Sequence, residues 1–152
     1  MGFSELSAAA EELISRGEIG RADPFLQELM TRFEHAERED PNVSLEAANW
    51  LAVQAKIALF QETGQRRHLQ DAERLLNRFR ERYPRSERMK DVIQRLGMLY
   101  AELGRTDEAI KTLNELLAGP LARQLSASEE DRVLHTLTLL YYQGENLAPG
   151  VP

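Results

Sequence analysis

The chain has 152 residues and a formal net charge of −6 at neutral pH; 42% of its residues are hydrophobic and 29% are charged. This length supports one domain with a core of its own, and the negative charge argues against a general nucleic-acid binder. The absence of cysteine excludes disulfides, thiol catalysis and cysteine-based metal sites.

The sequence is compatible with more than one cellular compartment. The amino terminus lacks the basic start and apolar stretch of a signal peptide. The chain as given is therefore expected in the cytoplasm, or in the periplasm if a signal peptide has been removed. No apolar run approaches the roughly 18 residues that a membrane span needs, so direct membrane insertion is not expected.

Apolar residues recur at helical spacing along almost the whole chain, and no segment alternates in the manner of a strand. This pattern predicts an all-α protein. The predicted helices cover residues 3–16, 24–39, 44–63, 68–83, 87–103, 107–118 and 128–143.

Several local signals mark the helix ends. Asp23 is a predicted N-cap, with Pro24 at the first helical position. For the last helix, capping-box patterns that begin at Ser126 and at Ser128 are alternative starts. Glycines that tolerate a positive φ are expected to close helices at Gly17, Gly64, Gly104 and Gly144.

The clearest motif runs from Lys90 to Pro120. It reads Ile93-x2-Leu96-Gly97-x2-Tyr100, then Gly104, Ala109-x3-Leu113 and Pro120. This order and spacing resemble one tetratricopeptide repeat, a helix–turn–helix unit of about 34 residues. One such unit cannot bury its apolar face alone, so the resemblance implies stacked neighbours.

Two earlier segments repeat parts of this spacing. Leu6-x2-Ala9-Ala10-x2-Leu13-x3-Gly17 matches the first helix, and Leu29, Phe33, Ala36 and Pro41 match Ala72, Leu76, Phe79 and Pro84. The middle unit departs from the pattern, with Lys56 and Ile57 where a leucine and a small residue are expected. The stretch Tyr83-Pro84-Arg85-Ser86 is also similar to repeats in bacterial envelope proteins of the Tol–Pal and outer-membrane-assembly type.

The resemblance implies a right-handed superhelical solenoid in a single domain over residues 3–145. Three helix pairs would cover residues 3–41, 44–84 and 87–120, followed by a capping helix at 128–143 and a tail at 146–152. The expected core comprises Leu13, Leu29, Phe33, Trp50, Phe60, Leu76, Phe79, Leu96, Gly97, Tyr100, Ala109 and Leu113.

The sequence predicts no catalytic residue, no metal site and no cofactor. No pair of the histidines His35, His68 and His135 has the i, i+4 spacing of a helical metal site. No serine lies in a G-x-S-x-G elbow, and no glycine-rich phosphate loop is present. We therefore expect a protein that is not an enzyme.

The resemblance implies a protein–protein interaction module that binds a peptide or helix in a groove lined by the first helix of each repeat. The matching positions are Ser7, Glu11, Gln54, Gln61, Asp91, Gln94, Arg95, Met98 and Glu102. The clamp by which some family members bind acidic C-terminal tails needs a lysine and an asparagine where this chain has Ser7 and Glu11. A mixed polar and acidic groove favours a basic or amphipathic partner segment.

The last predicted helix is apolar on more than one face. One face should dock on the third unit, and the remaining apolar surface suggests a homodimer contact, a bound partner, a continuation of the chain, or wrapping by the short tail. The candidates for self-association are Leu134, Leu137, Tyr141 and Tyr142. A self-associating scaffold is thus the alternative function.

Charge is distributed unevenly along the chain. Residues 64–95 carry a net charge of +5, and residues 1–63 carry a net charge of −7. The basic segment could recognise an acidic partner or an opposed patch on a second copy. Alternatively, its arginines could pair with glutamates one turn away, as Arg78 would with Glu81.

Overall fold

The computed structural model describes residues 2–147, which divide into two compact units, with the boundary in the chain between Tyr83 and Pro84. The boundary lies at the predicted end of the second repeat. The first unit holds α1 (Phe3–Ser15), α2 (Asp23–Glu39), α3 (Glu46–Thr63) and α4 (Arg66–Arg82). The second unit holds α5 (Met89–Glu102), α6 (Thr106–Ala118) and α7 (Ala127–Leu147).

The all-α prediction is confirmed, since every predicted helix is present and residues 2–147 contain no strand. Consecutive helices pack as pairs, α1 with α2, α3 with α4 and α5 with α6, while α7 packs on α6 and α5. Over the same residues, no helix has both the length and the apolar composition needed to cross a bilayer.

The core of the first unit includes a short 3-10 helix, Ile19–Ala22, which the sequence did not predict. Gly20 and Ala22 of this helix are buried, and Ala22 belongs to the same apolar cluster as Leu6 and Leu26. The 3-10 helix thus contributes to packing and does not serve only as a loop, which explains why the turn between α1 and α2 is long.

Part of the predicted core of the first unit lies at its edge. Leu29, Leu76 and Phe79 are buried as expected. Four other predicted core residues are only half-buried, namely Leu13, Phe33, Trp50 and Phe60. Leu13 and Phe33 pack against the outside of the apolar cluster.

The core of the second unit follows the prediction closely. Leu96, Gly97, Tyr100, Ala109 and Leu113 are all buried. A Cβ placed on Gly97 would lie 2.4 Å from Leu113 Cδ2 and 2.7 Å from Leu113 Cγ. The small residue therefore allows the close approach of α5 and α6 that the motif predicts.

Two predicted helix ends are wrong. Asp23 is the first residue of α2 and does not cap it, because its carboxylate bonds Lys56 and Gln27. Gly144 lies inside α7, which continues to Leu147, whereas Gly17, Gly64 and Gly104 follow helices with a positive φ as predicted. The predicted tail lies outside the described residues, apart from positions 146 and 147, which α7 includes.

The hydrogen bonds at the start of α7 show which of the two predicted N-caps forms. The Ser126 hydroxyl accepts a hydrogen bond from the Glu129 N–H at 3.1 Å, and the Glu129 carboxylate accepts one from the Ser126 N–H at 3.0 Å. This reciprocal pair is a capping box. Ser128 already lies within the helix.

Candidate functional site

Four of the predicted groove residues on α5 line one cavity. Asp91, Gln94, Arg95 and Met98 recur at helical spacing on one face of α5, beside the face that carries the buried residues Ile93 and Leu96. Glu129 and Arg132 of α7 complete the wall of this cavity, which has a volume of about 300 Å³. We call it the α5–α7 groove.

Lys90 forms ion pairs with both acidic groups of the α5–α7 groove. Its Nζ lies 2.8 Å from Glu129 Oε2 and 2.9 Å from Asp91 Oδ1. The hydrogen bond to Glu129 raises the pKa of Lys90, and the same bond, followed by that from the Ser126 N–H, lowers the pKa of Glu129. Both carboxylates are therefore already paired with Lys90, and the lowered pKa favours the ionised form of Glu129.

Met98 supplies an apolar surface within this polar groove. Its side chain is half-buried, and the Thr136 hydroxyl of α7 lies 3.4 Å from its Sδ. The same hydroxyl lies 2.9 Å from the Arg132 carbonyl oxygen, to which it donates. The groove thus combines a flexible thioether with cationic and acidic groups, a combination that suits a peptide chain.

The helix pair α5 and α6 of the second unit is similar in sequence to a known repeat. A family model described as tetratricopeptide repeat matches residues 91–118. Residues 91–118 are therefore similar in sequence to one tetratricopeptide repeat. No curated protein and no solved structure gives a significant match to the chain.

The tetratricopeptide repeat is a non-catalytic repeat type that generally mediates protein–protein interactions. The matched residues lie in α5 and α6, and α5 carries four of the six residues that line the groove. The similarity to repeats in envelope proteins of the Tol–Pal and outer-membrane-assembly type stays a prediction.

The remaining groove candidates occupy other positions. Glu102 is exposed at the end of α5, one turn beyond Met98. In the first unit, Ser7 and Glu11 lie one turn apart on α1, and Gln54 and Gln61 lie two turns apart on α3. Ser7 and Gln54 are half-buried, whereas Glu11 and Gln61 are exposed.

For one of the four residues predicted to mediate self-association, the predicted surface position is wrong. Leu137 is buried, because it shares the inward face of α7 with Val133 and Leu140. Leu134, Tyr141 and Tyr142 are exposed as expected, and Leu139, which was not predicted, joins them; the exposed fractions of the four range from 45 to 64%. Tyr141 is anchored through its hydroxyl, which accepts a hydrogen bond from Asn114 Nδ2 at 2.9 Å.

The first unit holds an ion pair that the sequence did not predict. Lys56 Nζ of α3 lies 2.9 Å from Asp23 Oδ2 of α2 and 3.7 Å from Asp71 Oδ2 of α4. Lys56 therefore forms a charged link among three helices at a position where the predicted repeat pattern has an apolar residue. A lysine at a position where the pattern expects an apolar residue was a signal for such a pair. The partner could not be identified from local sequence, because Asp23 is 33 residues away.

The arginines of α4 also find partners that are distant in sequence. Arg78 bonds Glu34 of α2 at 2.7 Å, and not the predicted Glu81. Arg82 bonds Glu34 at 3.1 Å and Glu37 at 2.7 Å. Part of the uneven charge along the chain is thus neutralised within the first unit.

Proposed function

We propose that this chain is a non-catalytic protein-binding adaptor that holds a segment of a partner protein in the α5–α7 groove. The observation that carries the proposal is the convergence of Asp91, Gln94, Arg95 and Met98 with two α7 side chains on one cavity. The protein-binding role that is general for the tetratricopeptide repeat supports it.

The chemistry of the groove favours an amphipathic segment. An apolar side chain of the partner would contact Met98, and its backbone carbonyls or acidic groups would accept hydrogen bonds from Arg95 and Arg132. A purely basic segment would have to displace Lys90 from Asp91 and Glu129. Among the two partner classes that the sequence favours, the amphipathic one is therefore the better fit.

Site-specific photo-crosslinking tests this proposal. Benzoylphenylalanine at Arg95, which is exposed and lines the groove, should crosslink a defined partner segment in the native source. The matched control carries the same group at Lys111, which is exposed on α6. Equal labelling from both positions, or no discrete product from Arg95, would contradict the proposal.

A second candidate function is self-association through α7. It is favoured by Leu134, Leu139, Tyr141 and Tyr142, which leave an apolar surface on this helix. A second copy would cover these side chains and remove apolar area from water. The pairing of Arg78 and Arg82 with Glu34 and Glu37 leaves less charge for the opposed patches that the sequence suggested.

Light scattering after size exclusion tests the second candidate. The wild type should form a dimer at high concentration, and Tyr142→Lys should shift it to monomer. The control Glu108→Lys changes an exposed residue of α6. A wild type that stays monomeric at every concentration would remove this candidate.

A further inference from the structure

A second cavity lies in the first unit, among α2, α3 and α4. It has a volume of about 320 Å³ and is lined by Gln27, Lys56, Asp71, Arg74, Leu75 and Arg78. Three of these six residues are cationic and one is acidic. We call it the basic cavity.

Lys56 retains hydrogen-bonding capacity toward this cavity. An ammonium group has three donors. One is used on Asp23 at 2.9 Å, whereas the 3.7 Å separation from Asp71 is too long for a normal hydrogen bond. With 13% of its side chain exposed, Lys56 is held in place by its surroundings.

Two arginines stand beside Lys56 at the cavity wall. Arg74 and Arg78 are one turn apart on α4 and therefore lie on the same face of that helix. Arg74 has an ion pair with Asp71. Each guanidinium offers five N–H donors in a planar fork, and such forks match carboxylates.

The negative charge around Arg78 is already shared. Its partner Glu34 also lies 3.3 Å from Arg38 and 3.1 Å from Arg82. The pKa of Glu34 is lowered, first by the hydrogen bond from Arg82 and next by the charge of Arg78. Arg82 also bonds Glu37, so two carboxylates face the three guanidinium groups of Arg38, Arg78 and Arg82, and one positive charge is left in excess beside the cavity.

We propose that the basic cavity binds an acidic segment of a protein partner, through a carboxylate that contacts Arg74, Arg78 and Lys56. Gln27 and Leu75 frame the cavity and would contact the rest of the acidic side chain. This site belongs to the first unit, and it takes a partner chemistry opposite to the basic segment that the sequence favoured for the groove.

A titration followed by NMR tests the site. The probe is a terminally blocked hexaglutamate peptide added to the full-length, nitrogen-15-labelled protein. We expect saturable shifts of the Gln27 side-chain amide and the Leu75 backbone amide. The double variant Arg74→Gln/Arg78→Gln should weaken binding by about tenfold or more, because it removes two guanidinium groups that would donate charge-assisted hydrogen bonds.

The matched control is Arg67→Gln/Arg80→Gln. It makes the same charge change on the same helix, at positions outside the cavity lining. It should weaken binding by less than about threefold, since only diffuse attraction is lost. Circular dichroism of each variant verifies that α4 is intact.

Three results would overturn this proposal. The first is a titration of the wild type without saturable shifts at Gln27 and Leu75. The second is equal weakening by both double variants, which would indicate diffuse electrostatic attraction only. The third is saturable binding of inorganic phosphate at these residues without any binding of the peptide.

Discussion

Lys56 Nζ lies 2.9 Å from Asp23 Oδ2, with only 13 and 12% of the two side chains exposed. The pair joins α3 to the start of α2 and accounts for two departures from the expected pattern. Lys56 occupies a position at which the predicted repeat pattern has an apolar residue, and Asp23 bonds this lysine instead of capping its helix. The two irregular residues are partners of each other.

Breaking this pair on one side should be costly. Lys56→Met leaves the Asp23 carboxylate buried without its cation, so we expect the free energy of unfolding to fall by about 3 kcal/mol. Urea unfolding of wild type and variant measures this change.

The double variant Asp23→Asn/Lys56→Met is the control. It removes both charges together, so it should lose much less stability than the two single changes combined. If the stability losses of Asp23→Asn and Lys56→Met simply add up in the double variant, the two residues are not energetically coupled.

Local signals predicted the helices well, and contacts distant in sequence explain the failures. Apolar spacing and the glycines at 17, 64 and 104 are properties of neighbouring residues, so they located the helices and three of their ends. The 3-10 helix Ile19–Ala22 depends on burial against the rest of the unit, which no local pattern encodes.

For the same reason, only part of the lining of the α5–α7 groove could be predicted from the sequence. The α5 residues followed from the repeat pattern, whereas Glu129 and Arg132 depend on how α7 packs beside α5. One sequence signal could have identified these two residues. They are three residues apart near the start of a helix that was expected to dock on the third unit. Leu137 was misassigned because α7 is apolar on several faces, so periodicity did not distinguish its inward face.

Gly97 tests the close approach of α5 and α6. Gly97→Ala places a methyl group against Leu113, and overpacking of this kind costs about 1–3 kcal/mol. Alanine regains up to about 1 kcal/mol of helix propensity, so we expect a net loss of about 1 kcal/mol in urea unfolding.

Gly144 provides the matched control, since it lies in α7 with no atom within 4 Å of an added Cβ. Gly144→Ala should leave stability unchanged or raise it by less than about 1 kcal/mol. A Gly97→Ala protein as stable as the wild type would contradict the packing argument.

The capping box at the start of α7 makes a separate prediction. Ser126→Ala removes the hydroxyl that accepts the Glu129 N–H, so thermal unfolding should report a loss of about 1 kcal/mol. Ser128→Ala, within the helix, should change stability far less. Equal losses from the two serines would argue against the cap.

Lys90 should control the ionisation of Glu129. Because the pKa of Glu129 is lowered in the folded protein, its contribution to stability is present above about pH 4.5 and is lost as the pH falls through the folded pKa. Lys90→Met should raise the Glu129 pKa toward its ordinary value, as measured by carbon-13 NMR of the carboxyl groups. Lys111→Met should leave it unchanged; a Glu129 pKa unaffected by Lys90→Met would refute the link.

The affinity of the crosslinked partner segment for the α5–α7 groove tests the proposed function most directly. A synthetic peptide of that segment is titrated by calorimetry into wild type, Gln94→Ala/Met98→Ala, and the α6 control Lys111→Ala/Glu115→Ala. We predict that the groove variant binds at least about tenfold more weakly while the control binds like wild type. Equal affinity for all three proteins would contradict binding in this groove.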